Sequence, residues 1–562
     1  PFQKLEHLIR FGRDALIFIF RQLWHGEGSS VGITCIWESI FKFWRQKTET
    51  RVKSMSRDYK VLEKNIAIDG FFSEYLPPCF SFDENVLKNP PPNPCDLIPP
   101  YSFTMSRFNG NESRRTIFIP EIGSYLAAHF YMQENGIYKE LIEFTESCDH
   151  SFSPVLDQDD CIAYHEQSYH GTPVDGEVLS SKYIVNIGEK IIRAAGAKKI
   201  LKLDISNCYS SFYMHMTPAI RLGAETAEIE YNKYVRNHND KTILPEYLIY
   251  RDLDQVIRQQ NLNRTNGLLP GILSSKLIAE AILTRIDTEL EALDIRFVRY
   301  VDDYEVFIYD HEEKSVITNF SEVLKKYGFS INAEKTKVID FPFYISENFE
   351  KLLRNRIDGE LTREDLINIF NTFFELESNG TKGAIRYLLK HFEQVPPSTN
   401  DPKLYKAYLM TVMANNERSL SKSCVLLLSN KTSPLDQEDK AKIVHMLRTH
   451  IDNGHDLETL WLLYLLIETK YLSQNDPLVE AVASTSNELA HAMLLRKNLL
   501  ADETLNLIRE KAKSWILLYE LYASEKLDES EFTKRLNISK NIGMYQKFKH
   551  HGIHFISFNN NV

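Results

Sequence analysis

Apolar and polar positions alternate in two different ways along the chain, and the change falls near residue 350. Residues 196–345 mix short β-branched or aromatic runs with longer amphipathic runs, which predicts strands interspersed with helices. Beyond about 350, apolar residues recur at helical spacing in runs such as "LETLWLLYLLIETKYL" and "AKSWILLYELYA". The lengths of these runs favour stacked helical hairpins of HEAT-like type.

The same pattern divides the chain into four parts. The predicted parts are an aromatic and basic leader (1–55), a region of mixed structure (56–195), a strand-and-helix region (196–345) and a helical domain (346–562). We expect the leader to be peripheral to the fold, and an amphipathic segment for self-association is the alternative. A proline-rich stretch at 89–100 predicts an extended linker inside the second part.

Two adjacent aspartates interrupt the strand pattern in the run "IRFVRYVDDYEVFIYD", residues 295–310. β-forming residues flank Asp302 and Asp303 on both sides, which predicts two short strands joined by a tight turn. A two-residue hairpin favours Asn-Gly or Gly at this point, and two like charges repel each other. A bound divalent cation is the simplest explanation for the pair.

A third aspartate, Asp204, follows an apolar run at 200–203 that predicts a buried strand, with a helix from Ser206. Alone, such an aspartate is usually a helix cap. If its strand lies beside the 295–310 hairpin, Asp204 and Asp302 come within reach of the same two cations. Carboxylate-bridged divalent ions serve phosphoryl transfer by activating the attacking hydroxyl and stabilising the leaving pyrophosphate. Magnesium suits such an all-oxygen site.

These acidic segments, together with two further segments and in this order, resemble the motifs of a known enzyme family. "DISNCY" (204–209) followed by "YVDD" (300–303) resembles motifs A and C of a reverse transcriptase palm, and "YGFSINAEKTKV" (327–338) resembles motif D. Between A and C, "NGLLPGILSSKLIAE" (266–280) resembles motif B. Its expected proline is replaced by Leu269, and Pro270 stands one place later.

The resemblance implies roles for individual residues. Asp204, Asp302 and Asp303 are implied as catalytic residues and as ligands of two Mg²⁺ ions, with Mn²⁺ as the alternative. The residues expected to bind the nucleotide are Tyr209, Arg114, Arg115, Gly271, Ser275 and Lys335. Tyr209 occupies the place of the aromatic residue that closes the sugar pocket in such enzymes.

Arg114 and Arg115 are candidates because of the chemistry of their side chains, and neither lies in one of these palm motifs. Guanidinium groups bind phosphate through paired hydrogen bonds, so the two arginines are candidates to meet a triphosphate. A solvated surface pair is the alternative.

Further runs are similar to the bacterial abortive-infection polymerases, the AbiK group and its relatives in P2-like prophages. They are "ESRRTIFIPEIGSYLAA" (112–128), "AGAKKILKLDISNCY" (195–209), "EKTKVIDFPFY" (334–344) and "NGTKGAIRYLL" (379–389). The similarity covers roughly residues 60–562. It implies an α+β fold of a fingers-like region (56–195) and a polymerase palm (196–345), followed directly by an all-α HEAT-like helical-repeat domain (346–562).

The family also implies a function, which is phage defence by untemplated DNA synthesis from dNTPs. Homo-oligomers would prime this synthesis from a residue of the protein, leaving single-stranded DNA covalently attached. Tyrosine suits priming because its phenol ionises more readily than an aliphatic hydroxyl. Tyr59, the first tyrosine of the chain, is the predicted primer, with Tyr75 and Tyr101 as alternatives.

Composition and net charge narrow the possible partners and the cellular compartment. The formal net charge of −11 over 562 residues argues against a protein that coats nucleic acid over its whole surface. Seven scattered cysteines without a C-x-x-C pair, and no apolar run long enough to span a bilayer, predict a cytoplasmic protein without membrane attachment. His450 and His455 fall at a polar helix–loop junction and are predicted to be surface residues.

Two other functions remain as alternatives. One is an RNA-templated reverse transcriptase of retron or group II intron type, which the acidic charge and the lack of a recognisable thumb disfavour. The other is a helical-repeat binding protein with a vestigial palm. The presence of all three carboxylates disfavours that alternative.

Overall fold

A computed structural model describes residues 57–106, 114–156, 161–163, 182–309, 313–343, 360–381 and 383–558. Residues 1–59 and 60–562 form two compact units, and nearly all described residues belong to the second. The predicted leader, 1–55, lies outside the described residues. No helix in the described ranges is both long enough and apolar enough to cross a membrane.

The described strands form two antiparallel sheets. They are β1 (Tyr101–Ser106), β2 (Arg114–Ile119), β3 (Lys199–Asp204), β4 (Phe297–Tyr300), β5 (Asp303–Ile308) and β6 (Lys337–Asp340). β1 and β2 form a hairpin, and the other four strands form a sheet in the order β4-β5-β3-β6. The strand that ends at Asp204 therefore lies directly beside the acidic hairpin, as a cation site shared by Asp204 and Asp302 requires.

Helices surround these sheets in the first part of the chain. They are α1 (Tyr59–Asp69), α2 (Ile122–Glu134), α3 (Ile137–Glu146), α4 (Lys182–Arg193), α5 (Cys208–Ser211), α6 (Thr217–Leu222), α7 (Ala224–Arg236), α8 (Pro245–Gln259), α9 (Leu273–Ala292) and α10 (Glu313–Lys326), with 3-10 turns at Glu84–Lys88 and Met214–Met216. The helix predicted from Ser206 begins two residues later, because Asn207 adopts a left-handed backbone conformation with φ of 48°.

The remaining described chain is helical, as the apolar spacing predicts. Its helices are α11 (Arg363–Ser378), α12 (Ala384–Gln394), α13 (Pro402–Asn415), α14 (Leu420–Ser429), α15 (Gln437–Asp452), α16 (Asp456–Glu468), α17 (Pro477–Ala483), α18 (Glu488–Arg496), α19 (Asp502–Lys511), α20 (Trp515–Ala523), α21 (Glu529–Leu536) and α22 (Ile542–His550), with a 3-10 turn at Glu417–Ser419.

Alternate helices of this domain form a continuous row, in which α12, α14, α16, α18 and α20 each contact the next. Residues 457–467 of α16 and 515–522 of α20 are buried on all sides, as expected for helices that are apolar all round. Trp461 and Leu462 belong to this core. Paired helices are thus present, whereas the HEAT-like assignment remains a prediction.

The helical domain shares one hydrophobic core with the predicted fingers-like region. That core joins Phe71 and Ile117 to Leu462 and Trp515, which are hundreds of residues later in the chain. The buried carboxylate of Asp96 accepts hydrogen bonds from the backbone N–H groups of residues 539–541, at 2.7–3.0 Å. The two regions consequently support each other, because neither buries its apolar face alone.

Candidate active site

The register of the four-stranded sheet assembles the acidic cluster. Asp204 at the end of β3 lies opposite Asp303 at the start of β5, and the backbone N–H of Ile205 donates to the carbonyl of Asp302 at 3.1 Å. Carboxylate oxygens of the three aspartates lie within 4.8 Å of one another. The two-residue turn before β5 places Val301 at φ of 55°, a strained conformation for a β-branched residue. The structure thus brings Asp204, Asp302 and Asp303 together.

The electrostatics of this cluster favour a bound cation. Burial and then the neighbouring charge of Asp204 raise the pKa of Asp302. Burial and the charges of Asp302 and Asp204 raise the pKa of Asp303 to about 6. Oxygen ligands whose ionisation is opposed by mutual repulsion suit a hard divalent ion such as Mg²⁺, which offsets that repulsion. The three side chains therefore fit the ions that the resemblance implies.

Lys335 and Asn332 hold the carboxylate of Asp204. The Lys335 Nζ lies 2.6 Å from Asp204 Oδ2, and the Asn332 Nδ2 donates to Oδ1 at 3.0 Å. Partial burial opposes the charge on Lys335, but its hydrogen bond and attraction to Asp204 raise its pKa above the usual value. The predicted site residue Lys335 is thus a fixed cation at the cluster. Asn332 lies in the same motif, but the sequence analysis did not identify it.

A buried ionic network under the hairpin was also missed. Arg299 of β4 is fully buried and bonds to Glu280 and Asp287, both on α9. It also donates to the carbonyl of Val301 at 2.9 Å, and Tyr304 donates to Asp287 at 3.0 Å. The network fixes the acidic turn to α9, the helix that begins within motif B. The alternating pattern of β4 gives no signal for it, because an arginine there reads as a solvent-facing residue.

Tyr209 is half-buried on α5, beside the loop of motif B. Its carbonyl accepts a hydrogen bond from the N–H of Leu268 at 2.8 Å. Burial and the charges of Cys208 and Asp302 raise the pKa of its phenol, so the ring is neutral. Tyr209 therefore lies close to the acidic cluster, where a sugar-contacting residue is expected.

Gly271 allows the loop of motif B to approach strand β2. Its φ is 115°, and a Cβ on it would lie 2.4 Å from Ile117 and 3.2 Å from the carbonyl oxygen of Phe118. The N–H of Phe118 also donates to the carbonyl of Pro270 at 2.9 Å. A residue with a side chain would displace the loop from the strand. Ser275, in contrast, is buried on α9 and lines a cavity with residues of α2, α3 and α8.

The two arginines of β2 have different surroundings, because adjacent strand residues face opposite ways. Arg114 forms an ion pair with buried Glu458 of α16 and donates to Thr104 at 3.3 Å. Arg115 is exposed, and its positive charge offsets a small part of the rise that burial and neighbouring groups cause in the pKa values of Asp302 and Tyr209. Arg115 is therefore the arginine that lies near the acidic cluster.

The tyrosines considered for priming lie in different environments. Tyr59 is the first residue of α1. Burial raises the pKa of both Tyr75 and Tyr101, and Tyr101 lies within β1. Of the three, Tyr59 remains the proposed primer.

A family model matches the part of the chain that contains the four-stranded sheet. The family model for reverse transcriptase (RNA-dependent DNA polymerase) matches residues 172–345. The chain thus contains a reverse transcriptase domain, and the four-stranded sheet and the acidic cluster lie within the matched residues. None of the curated proteins matches the chain significantly.

Two solved structures similar to the chain are telomerases in complex with a TWJ fragment of telomeric RNA. The one from Candida albicans is 12% identical, with a TM-score of 0.27 over 63% of this chain and 62% of that one. The one from Candida tropicalis is 11% identical, with a TM-score of 0.30 over 74% of this chain and 64% of that one. The aligned region spans less than two thirds of either telomerase chain.

Proposed function

We propose that the protein is a divalent-metal-dependent DNA polymerase that joins dNTPs without a template. The observation that carries the polymerase activity is the meeting of Asp204, Asp302 and Asp303 at one end of the sheet, within 4.8 Å of one another. In the reaction, a hydroxyl oxygen bonds to the α-phosphorus of a dNTP as the bond to pyrophosphate breaks. The hydroxyl proton leaves to solvent or to a nearby base.

The proposed roles of the side chains follow from their positions. The three aspartates hold the metal ions, which supply charge stabilisation when bound. Lys335, kept cationic by Asp204, and exposed Arg115 bind the negative triphosphate. The Tyr209 ring lies under the sugar and leaves no room for a 2′-hydroxyl. In this proposal Gly271 acts through the loop that it allows to pack against β2, and Ser275 supports that loop from within α9.

The finer proposal is protein-primed synthesis in abortive infection. It rests on the resemblance to the abortive-infection polymerases and on the net charge of −11, which disfavours a strong grip on a template–primer duplex. In this account Tyr59 provides the primer hydroxyl, and the product is single-stranded DNA attached to a cytoplasmic homo-oligomer.

An RNA-templated reverse transcriptase is the second candidate, because the matched family is described as an RNA-dependent DNA polymerase. One assay separates the two. The purified protein is treated with nuclease, repurified, and incubated with Mg²⁺ and labelled dNTPs, either alone or with a primed RNA template. The proposal expects long labelled DNA without added nucleic acid. Synthesis only on the primed template would establish the second candidate instead.

A further inference from the structure

A second cluster of metal-ligating side chains lies in the helical domain, separate from the aspartates. Among the described residues, Glu417, His450 and His455 bring one ligand atom each within 4.8 Å of the others. The Nδ1 atoms of the two histidines are 3.0 Å apart, and His455 Nδ1 lies 3.4 Å from Glu417 Oε1. Both histidines are half-buried, so they are less exposed than the prediction of surface residues implied.

The local backbone explains how these residues meet. Helix α15 ends just after His450, and Gly454, with φ of 66°, reverses the chain. The N–H of His455 then donates to the carbonyl of His450 at 2.9 Å, which folds the second histidine back onto the first. Glu417 arrives from the separate 3-10 turn between α13 and α14.

We propose that Glu417, His450 and His455 form a Zn²⁺ site, with the two Nδ1 atoms and a carboxylate oxygen as ligands. Tetrahedral zinc with bonds of about 2.0–2.1 Å holds neighbouring ligand atoms about 3.3 Å apart. The observed separations of 3.0 and 3.4 Å bracket that value. Two imidazoles and one carboxylate favour zinc over magnesium, and three protein ligands leave a fourth position for water.

Charged groups of both signs surround the cluster. Glu417, Glu458 and Asp456 contribute carboxylates, and the Arg114 guanidinium faces Glu417 and Glu458. Arg386 and Arg418 line one cavity with the same two glutamates. The geometry of the three ligand atoms, rather than a surplus of negative charge, therefore carries the proposal.

The position of the site gives it a structural consequence. Arg114 Nη1 lies 3.8 Å from Glu417 Oε2, and Asp456 accepts hydrogen bonds at 2.9 Å from the N–H and hydroxyl of Thr104 in β1. Zinc held here would order the end of α15 and the carboxylates that receive the β1–β2 hairpin. The competing explanation is a metal-free hydrogen bond between the two imidazoles.

Cobalt absorption separates the zinc site from both the aspartate site and the metal-free pair. Four-coordinate Co²⁺ with imidazole ligands absorbs visible light far more strongly than six-coordinate Co²⁺ on oxygen ligands. Metal-free full-length protein titrated with Co²⁺ should develop one strong band that saturates at a single ion per chain, and Zn²⁺ should abolish it. Absence of the band would overturn the proposal.

Variants assign the band to these residues. His450→Ala and His455→Ala should lose it, whereas His445→Ala, an exposed histidine on the same helix, should retain it. Glu417→Gln should weaken cobalt binding at least about tenfold, and we expect the protein to stay folded because this side chain is partly exposed. Circular dichroism checks each fold. If a histidine variant fails to fold, the Glu417→Gln titration decides, and an unchanged affinity there would contradict the site.

Discussion

Burial and the neighbouring carboxylates oppose ionisation of the side chains of Asp302 and Asp303. Among the described residues, the positively charged side chains that act on this pair are Lys335 and Arg115. Lys335 is already bonded to Asp204. The hairpin turn therefore holds more negative charge than its side-chain neighbours compensate. Because of that excess, we expect protonation of these carboxylates to weaken metal binding as the pH falls.

The pH dependence of the metal requirement tests the raised pKa of Asp303. As the pH falls through about 6, a proton occupies this carboxylate and competes with the metal. We expect the Mg²⁺ concentration for half-maximal incorporation to rise by roughly tenfold per pH unit below that point, and to level off above it. The midpoint is measured between pH 5 and 8. A midpoint independent of pH across this range would contradict the coupling.

Sugar selection tests the place of Tyr209. In Tyr209→Ala, removal of the ring should admit a 2′-hydroxyl and raise the ratio of rNTP to dNTP incorporation at least about tenfold. Tyr209→Phe keeps the ring and should retain the preference for dNTPs. Single-nucleotide incorporation is compared for folded proteins. An unchanged ratio in Tyr209→Ala would assign the ring to packing alone.

At the scale of elements, strand β2 contacts both the loop of motif B and the helical domain. Arg114 pairs with Glu458, which is buried, while the neighbouring Arg115 is exposed and its charge acts on Asp302. Loop 266–272 packs against the same strand through Gly271. The hairpin therefore has one structural arginine and one arginine available to a ligand.

Separate substitutions of the two arginines should divide stability from nucleotide binding. Arg114→Ala leaves Glu458 buried without its partner, and we expect a loss of about 3 kcal/mol in the free energy of unfolding. Arg115→Ala should raise the KM for dNTPs about tenfold, the worth of one charged hydrogen bond, with little change in stability. Denaturant unfolding and steady-state kinetics measure both. If Arg114→Ala raised the KM and Arg115→Ala lowered the stability instead, the two roles would be exchanged.

How far the sequence predicted these elements depends on the distance between partners. Asp204, Asp302 and Lys335 were identifiable because each lies in a short local motif with its own strand or turn signal. Arg299 and Glu280 were not, because their pairing depends on how α9 packs under β4. The contact of Arg114 with Glu458 spans 344 residues, and no local pattern specifies it.

At the scale of the whole molecule, the helical domain and the predicted fingers-like region are one packing unit. They share a core and exchange buried hydrogen bonds, such as that from Trp461 to the carbonyl of Tyr75 at 2.7 Å. A truncation that removes the helices would expose the apolar face of the β1–β2 hairpin. Tests of priming therefore require the full chain.

Priming by the protein predicts a covalent adduct at a defined tyrosine. After incubation with Mg²⁺ and dNTPs, nuclease and protease digestion should leave a nucleotide on the peptide that contains Tyr59, and Tyr59→Phe should lose most of the adduct. Mass spectrometry locates the modified peptide. A nucleotide on a peptide without residue 59 would move the primer elsewhere. Absence of any adduct would end the protein-primed proposal.

The most direct test of the account is nucleotide incorporation by Asp302→Asn, compared with the wild type and with Asp340→Asn. Asp340 is an exposed aspartate at the end of β6, outside the acidic cluster, and serves as the matched control. Loss of a metal ligand should lower the rate of labelled dNTP incorporation at least about 100-fold, while Asp340→Asn keeps it. Each of the three proteins should be folded and should unfold in a single transition. Undiminished incorporation by Asp302→Asn would contradict the assignment of the acidic cluster as the active site.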